Sequence, residues 1–111
     1  MKFPVIAALL IVVSGTAPGL AEPMRGVNGH SASGSATIAS GQVELGSDFR
    51  FDGGPDVYVA VKQGGKIQLL GKLRDNSGAQ SYALPAGGDG PDEILLFCKQ
   101  YNVTLGKAAV N

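Results

Sequence analysis

The chain has one cysteine, Cys98, and one histidine, His30, and this scarcity closes most metal and covalent chemistry. A lone cysteine allows no disulfide within a monomer. A structural zinc site needs a full set of N or S ligands, which one Cys and one His do not make. A blue-copper centre needs a second histidine. Covalent haem needs Cys-x-x-Cys-His, which is absent. Charge of one sign is lacking too, with nine Lys and Arg against nine Asp and Glu. Such a balance argues against nucleic acid and anionic membrane surfaces as partners. Long apolar runs are missing. The longest, Val5 to Val13, falls well short of the roughly 20 residues that span a bilayer.

That short run has another reading. Lys2 supplies a positive start, Val5 to Val13 an apolar core, and Gly19-Leu20-Ala21 small residues at the cleavage positions. Residues 1–21 are therefore expected to be a signal peptide, cut before Glu22. A mature chain of 90 residues would follow, secreted or periplasmic, with no further membrane span. No cysteine directly follows the apolar core, which excludes a lipid anchor on a mature N-terminal cysteine. Removing Lys2 leaves a net charge of −1. A chain this long suits one small domain with a modest core.

Glycine is abundant. Fifteen of the 17 glycines lie beyond residue 21, spread as punctuation. Frequent breaks favour short strands over a helical bundle. Val57, Val59 and Val61 alternate with Tyr58, Ala60 and Lys62, the period of a strand. Gln42–Leu45 and Phe49–Phe51 alternate likewise. Further strands are expected at Ala36–Ile38, Ile67–Leu70, Lys72–Arg74, Gln80–Leu84, Ile94–Cys98 and Val103–Val110. Turn-forming clusters separate them, among them Asp52-Gly53-Gly54-Pro55 and Ala86-Gly87-Gly88-Asp89-Gly90. The expected fold is all-β, an antiparallel β-sandwich of about seven to nine short strands.

One stretch has a rival reading. Pro91-Asp92-Glu93 can open a helix, with Ile94, Phe97, Cys98, Tyr101 and Leu105 on one face. The β-branched residues just beyond it and the all-β surroundings favour strand. As a strand, Ile94, Leu96 and Cys98 share one face, and Leu95 and Phe97 the other. Apolar residues on both faces mark a central, covered strand, with Cys98 aimed at the core.

The order of several pieces carries a resemblance. They are His30-Ser31-Ala32-Ser33-Gly34, Phe49, Gly54-Pro55-Asp56-Val57-Tyr58-Val59, Leu73, Gly78, Tyr82-Ala83-Leu84-Pro85, Phe97-Cys98-Lys99, and Val103 with Gly106 and Ala108. Together they resemble the DM-thirteen domain, an extracellular family labelled as electron transfer. The resemblance covers about Gly29 to Val110 and sets a domain over 29–111 behind a lead segment, 22–28. It implies a β-sandwich-like fold outside the cytoplasm. It also implies redox work at the cysteine, as a bare thiol or as ligand to a prosthetic group such as haem, with an unnamed redox or protein partner.

Exported proteins usually pair their cysteines or lack them. Cys98 is thus either a buried small hydrophobe or a group kept for its chemistry. Lys99, next in sequence, would point to the opposite face of a strand, so a cation for the thiol must come from elsewhere. His30, set among Gly29, Ser31 and Ser33, reads either as a surface-loop histidine or as that partner. Cys98 is the candidate redox thiol, and Cys98 with His30 the candidate cofactor-binding pair. No cofactor is required by the sequence, and no complete catalytic motif is present. Asp52, Asp56, Asp89 and Asp92 match no calcium-loop signature and read as turn formers. Asn102-Val103-Thr104 fits the glycosylation pattern. Two function classes follow: a redox or electron-transfer domain using Cys98, and a non-catalytic binding or adhesion module with a structural cysteine.

Overall fold

The computed structural model describes residues 21–85 and 90–110. The expected signal peptide lies outside them except for Ala21, as does Asp89. Among the described residues no helix is long and apolar enough to cross a membrane.

Among the described residues eleven strands form, and every pairing is antiparallel. In chain order they are β1 (Glu22–Pro23), β2 (Arg25–Gly26), β3 (Ala32–Ser33), β4 (Ser35–Ala39), β5 (Gln42–Leu45), β6 (Arg50–Phe51), β7 (Val57–Gln63), β8 (Lys66–Lys72), β9 (Gln80–Ala83), β10 (Glu93–Cys98) and β11 (Val103–Ala109). They build a four-stranded sheet, β1-β4-β5-β9, a five-stranded sheet, β2-β11-β10-β7-β8, and a small ribbon, β3-β6. The all-β sandwich reading holds. Four of the eleven strands have only two residues, which lifts the count above the expected seven to nine. Such short pieces carry too few residues to show a period of two.

The lead segment 22–28 is built into the fold. Glu22 pairs with Ala36 in one sheet, and Arg25 with Lys107 in the other. Met24 between them is buried. Expected strands 67–70 and 72–74 are one strand, β8, and Leu73 and Arg74 lie beyond its end. A register shift between Val59 and Ala60 on β7 lets β8 run on past Gly71.

The 92–98 stretch is strand, not helix. Ile94 pairs with Val61 on one side and Ala108 on the other, so β10 is central and covered. Ile94, Leu96 and Cys98 enter the main core with Val57, Val59, Val61, Leu105, Val43, Leu45 and Phe49. Leu95 and Phe97 face outward with Ala60 and Leu69. Each large apolar side chain so buried contributes about 1.5–3 kcal/mol. On the same outer face Lys99 and Lys72 lie over the Tyr58 ring.

Candidate functional site

Cys98 is the last residue of β10, opposite Val57 on β7 and Val103 on β11. Its side chain is 1% exposed. The thiol donates a hydrogen bond to the Pro55 carbonyl at 3.1 Å. Pro55 belongs to the loop 52–56 that joins β6 to β7. Asp56 in this loop adopts a left-handed φ of 52°. Its carbonyl accepts the Lys99 N–H at 3.1 Å, which pins the loop to the chain just past the thiol.

The same loop holds His30. Asp52 places Oδ1 3.0 Å from His30 Nδ1. A carboxylate only accepts, so the ring presents Nδ1–H to it and leaves Nε2 free for a proton or a ligand. Asp52 N–H donates to the Ser31 carbonyl at 3.0 Å. Gly54 packs against His30 and Leu105. A β-carbon there would sit 2.9 Å from Leu105 Cδ1 and 3.5 Å from His30 Cε1. One short loop thus contacts the only histidine at Asp52 and Gly54 and the only cysteine at Pro55. No hydrogen bond joins His30 to Cys98 among the described residues.

His30 lies in the loop before β3 and is partly exposed, but its surroundings are not wholly polar. Its ring stacks on Phe51 with centroids 5.9 Å apart, and its side chain is 26% exposed. Residues distant in sequence supply the apolar contact, because β3 pairs with β6 and sets Ala32 opposite Phe51. Partial burial tends to raise the Asp52 pKa. Hydrogen bonds from His30 and Ser31, with the charge of His30, outweigh it and hold the carboxyl below its ordinary value. A surface cleft of about 290 Å³ lies beside the pair, lined by Ser31, Ala32, Ser33, Arg50, Phe51 and Asp52.

Two residues of this site escaped sequence reasoning. Asp52 read as a turn former, and Pro55 contributes only its carbonyl. The Gly54-Pro55-Asp56 block was the available signal. The described loop aspartates, Asp52, Asp56 and Asp92, do not converge. Asp56 pairs with Lys72 at 3.5 Å, and Asp92 accepts the Gly64 N–H at 3.2 Å. Among the described residues no cluster of three or more His, Cys, Asp or Glu is placed to hold a metal. Asn102 occupies an exposed turn with a left-handed φ of 57°.

The frame so defined is a small antiparallel sandwich with one thiol closed under a loop. The chain belongs to the DM13 family: the family model described as electron transfer DM13 matches residues 26–110. No curated protein and no solved structure matches it.

Proposed function

We propose that the chain is an exported redox domain whose working group is the bare thiol of Cys98, gated by the loop 52–56. The family's electron-transfer description supports a redox role. The observation that carries the reading is the closure of a single loop over both scarce groups, through Pro55 on Cys98 and Asp52 on His30. Pro55 and Asp52 are both exposed, so the loop can lift without opening the core beneath it.

A prosthetic group on Sγ does not fit this geometry. The sulfur is 1% exposed and its proton is committed to Pro55. A bare thiol asks for less room. Once the loop lifts, the thiol proton passes to solvent and the thiolate attacks one sulfur of a partner disulfide. A Cys98–partner S–S bond forms, the partner's S–S bond breaks, and its second sulfur leaves as thiolate. Cys98 is oxidised and the partner disulfide reduced. A second thiol, on the partner or a small molecule, then attacks the partner's sulfur, forms a new S–S bond with it, and Cys98 leaves as thiolate and takes up a proton from solvent. The 1% exposure of Cys98 favours one other reading, a binding module in which the cysteine only fills space.

Incubating the folded protein with oxidised glutathione separates the two. The redox reading expects a mixed disulfide at Cys98, formed faster than global unfolding allows, by mass spectrometry against hydrogen exchange. Modification limited to the unfolding rate sinks it and leaves the binding module.

A further inference from the structure

The lysines carry a pattern that sequence order hides. Beyond Lys2 there are five, at 62, 66, 72, 99 and 107, and all lie on or beside the five-stranded sheet. Register sorts them by face. Arg25, Lys107 and Leu95 stand in one row across β2, β11 and β10, and the row continues through Ala60 to Leu69. The next row holds Thr104, Phe97, Tyr58 and Lys72. Lys99 lies over the Tyr58 ring at 5.6 Å. Lys62 sits beside Glu93 at the other end.

The outer face therefore gathers Arg25, Lys62, Lys72, Lys99 and Lys107 against only Glu93 and Asp56. The near-neutral overall charge is thus unevenly placed over the surface. Two of the cations are matched locally, Lys107 to Glu93 at 3.8 Å and Lys72 to Asp56 at 3.5 Å. Lys62 has no ion pair among the described residues. It lines a cleft of about 270 Å³ together with Val27, Asn28, Glu93, Leu95, Thr104 and Lys107.

From this charge placement we infer that the outer face of the five-stranded sheet docks an acidic protein segment, one carboxylate of which pairs with Lys62 at the cleft. Charge complementarity identifies the occupant. Glu93 already answers Lys107 within the cleft, so Lys62 is the cation there left for an aspartate or glutamate side chain on an extended segment. A bilayer is a poorer fit, because Leu95 and Phe97 are buried and only Ile67 among the large apolar residues of this sheet is exposed. The inference rests on charge and shape, not on the thiol, so it and the redox reading fail separately.

The test is a titration of the isotope-labelled protein with an oligoglutamate peptide, followed by amide NMR at low and at physiological salt. Shifts are expected at Lys62, Leu95, Thr104 and Lys107, with weaker binding as salt rises. Lys62→Glu should weaken binding about tenfold and leave the spectrum otherwise folded. Lys66→Glu, at the β7–β8 hairpin, should change it little. Equal shifts around Arg50 and Arg74, or no loss in Lys62→Glu, overturn the proposal. Binding to anionic phospholipid vesicles without binding to oligoglutamate overturns it in favour of a membrane. Shifts that appear on raising protein concentration alone overturn it in favour of a second copy.

Discussion

The Cys98 thiol and the Pro55 carbonyl are hydrogen-bonded at 3.1 Å, which ties the end of a central core strand to an exposed loop. The bond is a weak one by donor type, and its acceptor can turn to water. Most of what Cys98 contributes to stability is then packing. Cys98→Ala should cost about 1–2 kcal/mol, the burial of a small side chain plus a small void. Cys98→Ser keeps a donor but sets a hydroxyl against Val57 and Val103, and should cost as much or more. Urea unfolding of the two variants checks this. A serine variant as stable as wild type would show that the bond to Pro55, not the packing, holds the site.

Gly54 tests the gate. A β-carbon there meets Leu105 Cδ1 at 2.9 Å and Val57 Cγ2 at 3.4 Å. Both are side-chain ends, so the loop and its neighbours can give. Gly54→Ala should cost about 1 kcal/mol and push the loop away from the core. Native-state labelling of Cys98 by a thiol reagent should speed up by more than the loss of global stability accounts for. An unchanged ratio of labelling to unfolding would place the opening elsewhere than in 52–56.

Acid should act through two loop carboxylates. Asp48 accepts from the Ser35 backbone and hydroxyl, and these bonds hold its pKa below the ordinary 3.8. Asp52 is also lowered: partial burial opposes the shift, but bonds from His30 and Ser31 prevail. A carboxyl with a lowered folded-state pKa takes up protons more readily once the chain unfolds. Its stabilisation is complete above the ordinary carboxylate value and is lost as pH falls through the folded value. Stability should hold flat down to about pH 4 with respect to these groups and then decline. Asp48→Ala should lower stability near neutral pH and flatten the acid decline. Urea midpoints taken across acid pH measure both.

The longer strands were legible because their side chains alternate between core and solvent. Val57, Val59 and Val61 announce β7 by period alone, and the two-sided apolar run 94–98 announces a covered strand. The short strands β1, β2, β3 and β6 were not separately legible. They exist because distant segments offer unpaired backbone, as Arg25 does to Lys107. The site divides in the same way. Cys98 in the core follows from β10. The Asp52–His30 pair and the stacking on Phe51 follow from β3 meeting β6 across 16 intervening residues or more, which no local pattern encodes. The lysine face was invisible for a related reason. Residues 62, 72, 99 and 107 come to one side of a sheet only when antiparallel pairing sets their registers.

Gly34 joins β3 to β4 and so sets where His30 arrives. It adopts a left-handed φ of 91°. Its carbonyl accepts the Met24 N–H at 2.8 Å. A β-carbon at this position would run into the Asp48 carbonyl and the Phe49 backbone, neither of which can swing aside like a side chain. Gly34→Ala therefore carries both backbone strain and a steric clash, and should lose about 2–4 kcal/mol. Gly41→Ala is the control. Its φ is also left-handed, at 72°, but nothing lies within 4 Å of the added carbon. That variant should lose only about 1 kcal/mol. Urea unfolding gives the difference between them, which isolates the clash. If the two losses are equal, φ strain alone explains Gly34, and Asp48 and Phe49 yield more easily than their backbone contacts suggest. If the difference stands, a spectrum of Gly34→Ala should show the His30 and Phe51 resonances shifted together, because the ribbon that stacks them is aimed from this residue.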